Sequence, residues 1–176
     1  MQALSWLSDI FETLLKFFPH LKIIKLTQGG LKMRRGCEVT VMTPGLWWYW
    51  PLITTIDVIT TVRDTIDLTG QTFTTRDNKS ILASGMVMFM ISDIEKVLTT
   101  APDYNNTICD VCMNVIHDTF IKFEWEQLRN GILDGSVGKE LRKSANEELK
   151  PFGIKVISLG LKDLAPVKVL KIVQDM

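Results

Sequence analysis

The sequence has no excess of charge of either sign. Twenty Lys and Arg balance twenty Asp and Glu, so no global field points to nucleic acid, and no basic stripe with stacking aromatics is present. Cysteine is scarce. Three cannot all pair within one chain and form no disulfide-rich pattern, which favours a reducing, cytoplasmic compartment over a secretory one. Residues 1–18 are apolar but lack a basic leading region, and Asp9 and Glu12 interrupt them, so they do not read as a signal peptide. They also fall short of the ~20 mostly apolar residues that span a bilayer.

The means for catalysis or metal binding are equally thin. Cys109-Asp110-Val111-Cys112 is a C-x-x-C with His117 five residues on. A zinc site needs about four ligands, and only Cys37 and His20 remain, both far along the chain. The pair falls in the middle of a helical pattern rather than at a helix N-terminus after a strand, where a redox dithiol belongs. No orienting group or oxyanion donors accompany these residues, and no glycine-rich phosphate loop occurs. The reading is a protein that is not an enzyme and has neither metal nor cofactor.

Apolar residues are what the sequence does hold: 46% of 176, with a mean hydropathy of +0.14. That is enough for one domain with an appendage, and more apolar surface than such a domain easily hides. On a helical projection, Ala3, Leu4, Trp6, Leu7, Ile10, Phe11, Leu14, Leu15, Phe17 and Phe18 fall on one half. Gln2, Ser5, Ser8, Asp9, Glu12, Thr13 and Lys16 take the other half, and Pro19 ends the run. This predicts an amphipathic helix lying in the plane of a membrane surface, as opposed to one packed on its own domain. Its polar face is not rich in lysine, so attachment through it is expected to be mainly hydrophobic and weakly salt-sensitive.

A second apolar concentration is Pro44-Gly45-Leu46-Trp47-Trp48-Tyr49-Trp50-Pro51. It reads as an aromatic tip between strands. Successive side chains of an extended chain face opposite ways, so four consecutive aromatics cannot all enter one core. Trp47, Trp48, Tyr49 and Trp50, with Leu46, are therefore assigned to a membrane interface, in preference to an aromatic turn buried in the domain or under a neighbouring subunit.

Around these two stretches the pattern predicts an antiparallel meander over Ile23–Val41, with turns at Gly29-Gly30 and Gly36, then short strands at Ile56–Val58 and Ile66–Leu68. Ile81–Ile91 is apolar on both faces, which predicts a central strand covered on both sides, its methionines filling core. Ser92 and Glu95 form a capping-box pattern for a helix through Thr99. A longer helix follows over Asp103–Thr119, with Tyr104, Ile108, Val111, Val115 and Ile116 as its apolar stripe. Phe120–Leu128 is ambiguous. A further helix capped by Ser136 buries Val137, Leu141, Ala145 and Leu149 and stops at Pro151-Phe152-Gly153, after which Ile154–Leu161 returns as a strand. Strands, then helices, then a strand make an α+β domain.

Gly30-Leu31 through Gly36, Pro44-Gly45-Leu46 closed by Pro51, Thr75-Arg76-Asp77-Asn78, the strand Ile81–Ile91, Gly153-Ile154-Lys155-Val156 and Leu161-Lys162-Asp163-Leu164 together resemble the SPFH or band-7 family of stomatins, prohibitins and flotillins. The similarity runs from about Lys22 to Pro166. It implies an SPFH domain with a mostly antiparallel sheet packed with helices over 20–166, followed by a short tail over 167–176 that reads as the start of a helix; the amphipathic membrane-association helix over 1–19 departs from the hydrophobic hairpin or spanning helix usual in the family. It further implies a homo-oligomer on membrane lipids, in rings or arcs, that organises membrane proteins such as a membrane-bound protease. Members usually continue into a long coiled coil, whereas this sequence stops at Met176. The expectation is a minimal member, or one truncated before that coil. The other reading, from a different class, is an adaptor whose N-terminal helix docks in a groove of a partner protein.

Overall fold

A computed structural model describes residues 17–167. The predicted helix over Ala3–Phe18 lies outside these residues except for Phe17 and Phe18, which form a turn and bend ahead of the first strand. Eight strands and four α-helices follow, an α+β arrangement. β1 (His20–Ile24) pairs with β4 (Gly45–Tyr49) as a two-stranded ribbon. β2 (Gln28–Arg34) is the middle of a sheet with β3 (Glu38–Met42) and β5 (Thr54–Thr60). β6 (Asp64–Thr74), β7 (Ser80–Ile91) and β8 (Ile154–Pro166) form the third sheet, with β7 central, and all pairings are antiparallel. Between β7 and β8 come α1 (Ile94–Thr100), α2 (Tyr104–Phe120), α3 (Trp125–Leu133) and α4 (Ser136–Leu149).

The meander is corrected in two places. Gly29-Gly30 is not a turn but lies inside β2; the turn is at Lys25–Gln28, where Gln28 N donates to Lys25 O over 3.0 Å. The glycine at 29 serves close packing, since a Cβ there would come within 2.2 Å of Ile94 Cδ1 in α1. The aromatic stretch is likewise no tip. Residues 45–49 are strand β4, and the turn comes after them at Pro51–Ile53.

β7 is central as predicted, but it is covered on one face only. Ile81, Ala83, Val87, Phe89 and Ile91 are buried against Ile108, Cys112, Ile116 and Phe120 of α2 and Val137, Leu141, Ala145 and Leu149 of α4. On the opposite face Leu82 and Met86 are 40% exposed and Met88 and Met90 half-buried, so the methionines do not fill core. Centrality requires pairing along both edges, which β6 and β8 provide, and places no demand on the second face.

Helix ends also depart from the local pattern. Ser92 does not cap α1. Its hydroxyl donates to Gly153 O over 2.8 Å, and the cap is Asp93, whose Oδ1 accepts from Lys96 N at 3.2 Å. Ser136 is the first residue of α4 and not its cap; Gly135, at φ 76°, precedes it. The ambiguous segment Phe120–Leu128 holds the last residue of α2, a turn and the first four residues of α3, whose start is held from far away. Asp77 Oδ1 in the β6–β7 turn accepts from Trp125 N at 3.2 Å, and Arg76 N donates to Phe123 O at 3.0 Å. Asp77 also accepts the Thr75 hydroxyl at 2.6 Å and pairs with Lys79 at 2.9 Å.

These partners, the Thr75 hydroxyl first and the Lys79 ammonium next, hold the Asp77 carboxyl down from 3.8 to about 2. A depressed carboxyl favours the folded state above 3.8, and that contribution is lost as pH falls through about 2. Asp77→Asn is expected to flatten the acid limb of the stability–pH curve in that window, read from urea midpoints. An acid limb identical to the parent's would show that the tie carries no stability.

Candidate functional site

The ribbon β1–β4 concentrates the apolar surface. Its register sets Leu21 opposite Trp48 and Ile23 opposite Leu46. Residues directly opposite in an antiparallel pair share a face, and alternate pairs along the ribbon share it too. All four side chains are therefore on one face, and that face is open: Leu21 is 50% exposed, Ile23 69%, Leu46 59% and Trp48 60%. Beyond the strand, Trp50, Leu52 and Ile53 extend the exposed apolar surface, and Phe17 and Phe18 are exposed just before β1. An apolar cluster that no described residue covers on a folded domain marks a contact with a membrane or a protein.

The other face of the ribbon carries His20 opposite Tyr49 and Lys22 opposite Trp47. Trp47 and Tyr49 are half-buried there. Trp47 donates its indole N–H to Thr43 O over 2.8 Å, and the Tyr49 ring lies 5.9 Å from that of His20. Ile24 at the end of β1 is buried. Of the sequence-assigned residues, the structure thus sets Leu46 and Trp48 together on the open face, turns Trp47 and Tyr49 away, and leaves Trp50, Phe17 and Phe18 exposed. Leu4, Trp6, Leu7, Ile10, Phe11, Leu14 and Leu15 lie outside the described residues.

Leu21 and Ile23 belong to the open face and Leu52 and Ile53 are exposed in the turn after it, and none was assigned from sequence. The alternation Leu21-Lys22-Ile23 is a period-two signal that could have found two of them.

The thiols and the second histidine are placed elsewhere, on α2. Burial pushes the Cys112 thiol up to about 12, and burial with the nearby Asp110 and Asp103 carboxylates raises that of Cys109. Both are protonated at neutral pH, whereas attack requires the thiolate. The His117 ring packs 6.4 Å from that of Phe73. Among the described residues no group of three or more His, Cys, Asp or Glu side chains is arranged to hold a metal ion. Iodoacetamide at neutral pH is expected to label exposed Cys37 first and to spare Cys112 until the protein unfolds, as peptide mass spectrometry would read. Fast labelling of Cys112 in folded protein would reverse this assignment.

An apolar cleft of about 200 Å³ between α4, the end of α3 and β8, lined by Ile132, Val137, Leu141, Leu159 and Leu161, contains no titratable group. No described helix is long and apolar enough to cross a membrane.

Comparison with known proteins places these features in context. The family profile described as SPFH domain / Band 7 family matches residues 22–175. An uncharacterized protein of Archaeoglobus fulgidus is 23% identical over 159 residues, covering 90% of this chain and 63% of its own length. Stomatin homologs of Pyrococcus horikoshii and Pyrococcus abyssi are each 22% identical over 144 residues, 82% of this chain and 53% of theirs. The chain therefore spans about half to two-thirds of the length of these relatives.

Proposed function

This chain belongs to the SPFH domain / Band 7 family, and from that premise we propose that it is a non-enzymatic scaffold seated on a membrane surface through the open face of the β1–β4 ribbon. Members of this family are generally membrane scaffolds. The observation that carries the reading is the set of four exposed apolar side chains, Leu21, Ile23, Leu46 and Trp48, on one face of that ribbon. Trp and aliphatic side chains at such an edge gain free energy at the water–lipid boundary. The amphipathic sequence pattern of residues 1–18 supplies a second membrane contact.

In this reading the domain faces a reducing compartment and copies associate laterally into rings or arcs. The assembly confines or regulates a membrane-protein client, of which a membrane-bound protease is one kind.

The test is flotation of the full chain with phospholipid vesicles, followed by negative-stain imaging of the lipid-bound fraction. Co-flotation with rings or arcs on the vesicles is the expected result. A folded chain that stays in the dense fraction would overturn the reading.

A further inference from the structure

We infer that the membrane surface bound by this edge is anionic, and that Lys32, Arg34 and Arg35 supply the contacts to its lipid phosphates. The inference rests on the seating proposed above and names the headgroup chemistry of that same site.

Charge is distributed unevenly along a chain that is neutral as a whole. From residue 17 to residue 56 there are five cationic side chains, Lys22, Lys25, Lys32, Arg34 and Arg35, and one carboxylate, Glu38. This is the segment that builds the ribbon, the β2–β3 hairpin and the Pro51–Ile53 turn. Five cations less one carboxylate give this segment a net charge of +4 in a chain that is neutral overall.

Two hydrogen bonds tie this cationic segment to the ribbon and to the turn after it. Lys32 reaches from β2 to donate its ammonium to Trp48 O over 3.2 Å, although Trp48 lies in another sheet. Arg35, at φ 52° in the hairpin turn, donates its backbone N–H to Ile53 O over 2.8 Å. That bond ties the hairpin turn to the Pro51–Ile53 turn. Lys22, opposite Trp47, is on the ribbon's other face and takes no part.

Arg34 and Glu38 approach only to 3.8 Å, and both side chains are more than half exposed. So loose a pair leaves most of the guanidinium N–H groups unengaged. The next carboxylate along the chain, Asp57, is opposite Leu31, three residues in from Arg34 along β2.

With the apolar face at headgroup depth, these cations meet the phosphate layer. Near an anionic leaflet each Lys or Arg strengthens partitioning roughly fivefold at low ionic strength. The advantage fades where salt shortens the Debye length. Attachment is therefore salt-sensitive, unlike what the polar side of residues 1–18 suggested.

The experiment compares flotation of the full chain on pure phosphatidylcholine vesicles and on vesicles doped with phosphatidylglycerol, at low and high salt. The expected result is roughly tenfold or more preference for the doped vesicles at low salt, largely lost at high salt. The preference should also be lost in Arg34→Gln with Arg35→Gln and restored in Arg34→Lys with Arg35→Lys. Both double variants alter exposed side chains, and unchanged thermal unfolding is the check on folding. Equal, salt-insensitive binding to both vesicle types would overturn the anionic assignment while leaving membrane seating intact. Binding to neither, by folded protein, would overturn the seating itself.

Discussion

Trp48→Asp is expected to weaken partitioning onto vesicles by roughly a hundredfold while leaving the fold intact. Trp48 sits between Leu21 across the ribbon and Leu46 two residues back, and it exposes 60% of its surface. Withdrawing it from lipid forfeits about 1–2 kcal/mol of apolar transfer. Placing a carboxylate at that depth costs a further 1–2 kcal/mol or more, and each 1.4 kcal/mol is about tenfold. Because the side chain is open in the domain, unfolding should shift by no more than about 0.5 kcal/mol. Leu133→Asp is the matched control: Leu133 is 78% exposed, but on α3, outside the ribbon and its two sheets. Trp48→Asp floating like the parent would remove the ribbon from the contact surface. Loss of flotation in both variants would make the effect one of general surface charge.

Gly153→Ala is expected to lower stability by roughly 3 kcal/mol, or about 10 °C in unfolding temperature. Gly153 holds φ 75° at the junction between the helices and β8, a conformation L residues adopt only under strain. An added Cβ would come within 2.6 Å of Asp93 O, and this neighbour is backbone that cannot swing away. The clash falls where Ser92 N, Asp93 N and the Ser92 hydroxyl all donate to Gly153 O, at 2.8–3.0 Å. These bonds tie the start of α1 to the start of β8. Gly138→Ala, one turn into α4 where an added methyl meets nothing within 4 Å, is expected to gain about 0.5–1 kcal/mol. Urea denaturation of both variants tests the pair. A Gly153→Ala protein as stable as the parent would mean that the junction yields.

The residues differ in how much of this they announced. The four-residue spacing Val137, Leu141, Ala145, Leu149 identified the buried face of α4 without error. The stripe on α2 was found in outline, though Cys112, Met113, Thr119 and Phe120 joined it. Centrality of β7 was legible from its apolar run, but the exposure of Met86 and Leu82 was not. A run apolar on both faces records what a strand could bury, and not what the rest of the chain brings over it.

By itself the sequence determined the locally encoded elements: α2, α4, the central strand, the break at Gly153 and the concentration of aromatics before Pro51. Each follows from side-chain period or from the backbone freedom of one residue, both properties of contiguous chain. Tertiary structure reinforced the start of α3, where Asp77, 48 residues away, receives Trp125 N beside the local capping pair Glu124–Gln127. It alone decided which aromatics face outward. The β1–β4 pairing joins Leu21 to Trp48 and Ile23 to Leu46 on one side and turns Trp47 and Tyr49 to the other. Local alternation divides each strand's side chains into two sets, but only strand register can bring partners so far apart in the chain onto one face.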